Sequence, residues 1–254
     1  LAAAGRADDV LSPRLRETEA LLRWLCEENF VMFSVEEFAP DGSRALTLGT
    51  TRVTPQRREG AAVNGRMDAT KRFVRYERSA EESPIHRAGK PGQFMIRHVD
   101  RQGESTGILV IDGLFTYKAL HTPPEEIPYL RVLLRDLLAD REVRGDSHRG
   151  KNLANAFNSL PIEYLLTEEP EHIWELTDRV LRAEEEGGSD VELRISDEGR
   201  SAFLFVTLPR EHFSESLRLQ VQELVLRRLG ASYADFGVYI DRYENAIVHF
   251  YVTG

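Results

Sequence analysis

Ile162-Glu163-Tyr164-Leu165-Leu166, Val191-Glu192-Leu193-Arg194-Ile195, Ala202-Phe203-Leu204-Phe205-Val206-Thr207-Leu208 and Val248-His249-Phe250-Tyr251-Val252 punctuate the stretch 162–252, whose period is legible from end to end. The first piece is short and apolar, which suits a strand. Pro170 then stands where a helix can begin, since its fixed φ and missing N–H cost nothing in a first turn. Ile173, Leu176 and Val180 recur at helical spacing with Trp174 and Leu181 beside them, and the run Glu184 to Gly188 ends that helix. Residues 191–195 alternate strictly, so one face is expected buried and the other wet. Ala202 to Leu208 is nearly all apolar, as in a central strand covered on both faces. Pro209 stops it. Ser214 can cap a second helix, whose stripe is Phe213, Leu217, Val221, Leu224 and Val225, and Gly230 stands just past its end. Phe236, Val238 and Ile240 alternate, and after Asn245 so do Val248, Phe250 and Val252, which closes a hairpin.

Two helices separated by paired strands predict a ferredoxin-like βαββαβ sheet with both helices on one face. Regulatory domains of the ACT type have this layout, although a layout carries no function by itself.

Working back toward the N-terminus, Ser12-Pro13 opens a helix by the cap-then-proline rule, with Leu15, Thr18, Leu22 and Leu25 inward. Strands are expected over 30–38, 44–53, 72–77, 94–99 and 108–120, and aperiodic loops over 55–70 and 79–92. One leading helix and about five strands suggest a curved antiparallel sheet of the PAS type, with a generic α+β sheet as the alternative. Pro123-Pro124 breaks the chain. Ile127, Leu130, Leu134, Leu137 and Leu138 form a helical stripe, 141–150 is charged, and a shorter helix covers 153–160. The expectation is an α+β chain in three parts: 1–120, a leading helix and PAS-like sheet; 121–160, a helical connector; 161–254, an ACT-like ferredoxin-fold domain.

The 254 residues are enough for two ordinary domains, and 41% hydrophobic content supports a core. A net charge of −9 argues against a general nucleic-acid binder. No apolar run approaches the roughly 18 residues that span a bilayer. Leu1-Ala2-Ala3-Ala4-Gly5 does not read as a secretory leader, and a start without Met suggests a fragment of something longer. Cys26 is the single cysteine, so no intramolecular disulfide can form and a cytoplasmic setting is expected. Its place among leucines predicts a buried structural thiol.

Catalytic signatures are missing. No two glycines are separated by one residue, which rules out G-x-G-x-x-G. Gly150-Lys151 is followed by Asn152 where a phosphate loop needs Ser or Thr. The seven histidines never pair at i+3 or i+4, so a metal site is not expected. Glu81-Glu82 and Glu184-Glu185-Glu186 read as solvated charge. The best isolated polar pair is His86-Arg87, and its plainer reading is a loop bonded to its own backbone.

Several stretches together resemble the N-terminal region of the large bacterial NAD-specific glutamate dehydrogenases: Glu19-Ala20-Leu21-Leu22-Arg23-Trp24-Leu25 running into Asn29-Phe30, Ser83-Pro84-Ile85-His86-Arg87, Gly113-Leu114-Phe115-Thr116, Ile127-Pro128-Tyr129-Leu130-Arg131, Ser147-His148-Arg149-Gly150-Lys151 and Pro209-Arg210-Glu211-His212-Phe213. Their order and spacing agree over about 16–252. The first strand departs from the family at Val31-Met32-Phe33-Ser34-Val35, where a glycine is usual, and 54–70 match poorly. The resemblance implies a parent enzyme that oxidatively deaminates L-glutamate to 2-oxoglutarate and ammonium while reducing NAD. It implies that the NAD site lies in a later domain, so that this chain is a regulatory and oligomerisation region with no catalytic residue and no cofactor or metal of its own. His86, Arg87, His148 and Lys151 are then candidate ligand or interface residues. The expected partners are other domains of the parent, further copies of the chain and a small amino-acid effector, with no nucleic acid or membrane. The alternative is a stand-alone ACT/PAS-type amino-acid sensor.

Overall fold

The computed structural model describes residues 13, 15–49, 59–68, 72–78, 90–100, 104–196, 199–241 and 245–254. The chain divides into two compact units, Leu1–Val132 and Leu133–Gly254.

In the first unit, α1 (residues 15–24) runs into a π turn, Leu25–Asn29. The turn breaks helical geometry at Glu27 and Glu28, and Asn29 Nδ2 stitches it by donating to the Trp24 carbonyl at 2.7 Å. Cys26 lies on this turn and is exposed, not buried as its leucine neighbours suggested, because it stands one residue round the helix from Leu25, off the face that holds Leu21 and Leu25. Five strands follow: β1 (Phe30–Phe38), β2 (Arg44–Gly49), β3 (Val74–Arg78), β4 (Gly92–Val99) and β5 (Ser105–Phe115). They form one antiparallel sheet in the order β2-β1-β5-β4-β3.

Both faces of this sheet are covered. On one, Phe30, Tyr76, Phe94 and Phe115 meet largely edge to face at 5.0–5.7 Å, with Trp24 of α1 against Phe115. On the other lies α2 (Gly60–Asp68), whose Val63 and Met67 pack with Phe38, Met95, Ile108 and Val110. This helix corrects the loop expected over 55–70. Only two of its residues reach the core as large side chains and it holds two glycines, so no period shows; tertiary contact and Asn64 Nδ2, bonded to the Ala39 and Pro40 carbonyls, hold it instead. The strand expected to run to 120 also stops earlier. Thr116 caps α3 (Tyr117–Leu120) by accepting from the Ala119 amide.

Helix α4 (Leu130–Ala139) carries the expected stripe, and α5 (His148–Asn158) begins five residues before its apolar run, at the Ser147 cap. The first strand expected for the second unit is instead a helix, α6 (Ile162–Thr167). A short apolar run cannot separate the two states by period, and here helical geometry lets Tyr164 wedge between Phe203 and Phe205 at 5.3 and 4.8 Å. α7 (Pro170–Glu186) ends on Gly187 in the left-handed conformation, and α8 (Glu215–Leu229) starts on Ser214 and ends on left-handed Gly230.

The second sheet contains β6 (Asp190–Ile195), β7 (Ser201–Pro209), β8 (Tyr233–Ile240) and β9 (Asn245–Thr253), antiparallel in the order β6-β7-β9-β8. The central slot that a leading strand takes in a βαββαβ sheet is filled by the C-terminal strand β9. The helices are not on one face. Leu217, Val221 and Val225 of α8 cover the side bearing Leu204, Val248 and Phe250. α6 and α7 lie on the side of Phe203, Phe205, Asp190 and Glu192. Leu224, assigned to the inner stripe of α8, is 48% exposed. The alternation of β6 is inverted: its charged residues are half-buried under α7, and Val191, Leu193 and Ile195 face outward at 58%, 42% and 54% exposure.

Candidate functional site

Of the four residues singled out from the sequence, His86 and Arg87 lie outside the described residues. His148 and Lys151 both fall on the first turn of α5 and are exposed. Ser147 organises that turn: its Oγ accepts from the Gly150 amide at 3.0 Å and donates to the Arg144 carbonyl at 2.5 Å. Gly150 is buried against the Arg144 carbonyl, where any side chain would overlap the backbone. His148 Nδ1 lies 3.4 Å from Asn152 Nδ2, and Arg149 reaches Asp178 of α7 at 3.3 Å. The Ser-His-Arg-Gly-Lys segment is thus a tight loop-to-helix junction bound to α7.

Two polar centres were not legible in the sequence. The first is Arg179, one helical face of α7 above the edge of β6. Its guanidinium grips both Asp190 oxygens, at 2.9 and 2.7 Å, bonds Glu192, and donates to the Val191 carbonyl at 3.0 Å. Hydrogen bonding from Arg179 holds the Asp190 carboxyl below the usual aspartate range, and the same bonds raise the Arg179 pKa. The arrangement ties α7 to the sheet edge with a planar fork. Arg194, next on that face, stands 3.7 Å from Glu168. Burial, reinforced by Glu168, raises the Tyr164 phenol far above its ordinary pKa, so the ring serves as a neutral core group.

The second centre is a buried polar seam on the α2 face of the first sheet. Ser34 Oγ donates to Asp112 Oδ2 at 2.7 Å and Gln93 Nε2 to Asp112 Oδ1 at 3.3 Å. Glu36, 4% exposed, meets Arg44 at 3.3 Å on the same face, and Arg66 of α2 and Arg75 of β3 both bind Glu77. The ion pair between Arg66 and Glu77 ties α2 to this partly polar sheet face.

The dinucleotide crevice of doubly wound folds forms where parallel strands feed helix N-termini through a glycine-rich turn. Both described sheets are antiparallel and the fingerprint is missing from the sequence. Among the described residues, no group of three or more His, Cys, Asp and Glu is placed to hold a metal ion, and no helix is long and apolar enough to cross a membrane.

Residues 127–186 match the glutamate dehydrogenase helical motif 1 family model, which corresponds to α4 through α7. Residues 191–254 match the glutamate dehydrogenase ACT2 domain model, which corresponds to the second sheet and α8. The NAD-specific glutamate dehydrogenase of Pseudomonas aeruginosa is 26% identical over 258 residues, covering 95% of this chain and 16% of that protein. Its counterpart in Halomonas elongata is 26% identical over 253 residues, covering 92% and 16%. That of Mycobacterium tuberculosis is 24% identical over 140 residues, covering 55% and 9%. Among solved structures, a blue-light activated histidine kinase of Erythrobacter litoralis EL346 aligns over 89% of this chain and 96% of that chain at 11% identity, with a TM-score of 0.22 that is too low to bear on the fold. The chain therefore spans about a sixth of the length of the first two relatives. With two consecutive family segments in order and alignments running through nearly all its residues, the chain belongs to the large NAD-specific glutamate dehydrogenase family.

Proposed function

We propose that this chain is a non-catalytic regulatory and assembly region of a large NAD-specific glutamate dehydrogenase, a cytoplasmic enzyme converting L-glutamate, NAD and water to 2-oxoglutarate, ammonium and NADH. The observation that carries this reading is the collinear match to helical motif 1 and ACT2 over 127–254, in a chain that aligns with 16% of each of the first two relatives. Hydride transfer needs a nicotinamide site with substrate groups beside it. In this reading the rest of the parent supplies both. The first unit acts as a PAS-like domain, which its strand order and the helix lying on its polar sheet face support. Residues 121–160 act as the connector, and 161–254 offer sheet edges to other domains, further copies or a small amino-acid effector.

The test has two arms. The purified chain, given glutamate and NAD, is expected to produce no NADH. Deleting this region from the parent is expected to change its assembly or its response to amino acids. Glutamate-dependent NADH production by the chain alone would overturn the reading, as would a parent that assembles and responds identically without the region.

A further inference from the structure

We propose that Tyr129 is a strained hinge at the start of α4 and that the Glu17 carboxylate is the latch that holds it closed. Both residues belong to the first unit, and the inference stands apart from what the rest of the parent does.

Tyr129 immediately precedes α4 and lies in the left-handed region, at φ 74°. A residue with a Cβ is strained there, by the equivalent of roughly five- to a hundredfold in population. Such a conformation persists only where its surroundings over-determine it, and here the holds can be named. Ile127 before it and Leu130 after it are fully buried, and the Arg131 amide donates back across the turn to the Ile127 carbonyl at 3.0 Å. Arg72, itself buried, places its guanidinium 5.7 Å from the centre of the Tyr129 ring. The last hold comes from 112 residues away in the chain. Glu17, on α1, accepts from the Tyr129 amide at 3.1 Å and from Arg131 Nε and Nη2 at 2.9 and 2.8 Å. One carboxylate thus takes three hydrogen bonds, two of them from a planar charged fork. The donors stand on the strained residue and two positions beyond it, so the carboxylate pins the turn on both sides of Leu130. Without it the turn keeps its strain and loses a main contact that offsets the strain. Tyr129 then relaxes, and the first turn of α4 comes free of α1. Ile127 is also where the match to helical motif 1 begins, so the latch fastens the start of that segment to the first helix of the chain.

Amide hydrogen exchange on the whole 254-residue chain reads the hinge directly. Glu17→Ala is expected to lower the protection of amides 129–132 by about tenfold or more, the scale of one hydrogen bond to a charged group. Amides of α2 and β5 are expected to keep the protection they have in the unaltered chain, because the opening is local. Arg131→Ala, which empties the other side of the latch, is expected to lower protection at 129 and 130 in the same way. Tyr129→Gly, made on the Glu17→Ala chain, tests the strain by its sign. Glycine takes a φ of this size at no steric cost, so protection is expected to climb back toward that of the unaltered chain. An unstrained tyrosine would give the opposite sign, since glycine ordinarily loosens a chain. Unchanged protection at 129–132 in Glu17→Ala would overturn the proposal, as would a loss spread evenly over the first sheet. Further loss on adding Tyr129→Gly would overturn it as well, by showing that no strain is stored there.

Discussion

Gly92 and Gly113 stand directly opposite each other across β4 and β5, and together they form the bare floor under the aromatic cluster of the first unit. A Cβ at 92 would overlap the Tyr76 ring, and one at 113 would overlap the Val31 carbonyl and come within 2.5 Å of Phe30 Cε1. Tyr76 is 1% exposed and wedged between Phe94 and Phe115, so it has nowhere to retreat. Gly92→Ala is expected to destabilise the unit by about 1–3 kcal/mol, the usual cost of overpacking. Gly113→Ala should cost more, because backbone yields less than a ring. Urea denaturation of both variants checks this, and unchanged midpoints would mean that the rings do not need the floor.

Arg179 makes the attachment of α7 to β6 sensitive to acid. Its hydrogen bonds depress the Asp190 pKa in the folded state. A depressed carboxyl contributes stability that is present above the unfolded value of about 3.9 and is lost as pH falls through the folded value. Arg179→Ala is expected to cost about 1 kcal/mol at neutral pH, a figure kept small because the pair is about a third exposed and screened. The difference from the parent chain should shrink toward pH 3. A deficit unchanged between pH 7 and pH 3 would mean that lost packing of the arginine stem, not the ion pair, is responsible.

The parts of the fold legible in the sequence are those where one local signal decides. Ser214 before an amphipathic run and Gly230 after it mark both ends of α8, and the nearly all-apolar run 202–208 is a central strand. The failures fall where a partner decides. Residues 162–166 are equally apolar as helix or strand, and Tyr164 becomes helical because Phe203 and Phe205 receive it. The alternation of 191–195 gave the strand but not its orientation, since α7 brings an arginine that makes the charged face the inner one. The same holds for the candidate sites. His148 and Lys151 are locally legible because they share one helical turn, whereas the Arg179 fork joins residues 11 and 13 positions apart across a loop and leaves no mark in the sequence.

Phe205 anchors the middle of the second sheet. It is 1% exposed, stacks 6.0 Å from Phe203 and takes Tyr164 on its edge at 4.8 Å. Phe205→Ala is expected to cost about 3–5 kcal/mol, the range for emptying a buried aromatic site. Because Tyr164 closes that site from α6, the variant should also loosen the helical segment, seen as faster amide exchange over 162–167. Loss of stability without faster exchange there would mean that α6 is held by other contacts.

The seam between Ser34 and Asp112 separates a structural polar network from a merely tolerated one. Both side chains are buried, at 3% and 2% exposure, and are joined by a 2.7 Å hydrogen bond from hydroxyl to carboxylate. Ser34→Ala removes one donor to a buried carboxylate, and under-satisfied buried groups carry most of their desolvation cost, about 1–3 kcal/mol. Asp112→Asn in the intact network replaces a charged acceptor by a neutral amide, which forfeits the charge-assisted bond even though the Ser34 hydroxyl can turn to accept from the new Nδ2. Once Ser34 is alanine, the same change removes the charge that lacked its donor. The double variant is therefore expected to be more stable than the sum of the two single losses by about 0.5–3 kcal/mol, the coupling found between residues of one network. Denaturation of the four chains gives the cycle. Strict additivity would show that the 2.7 Å bond contributes no net coupling and that α2 is held over this face by its other contacts, through Val63, Met67, Asn64 and Arg66.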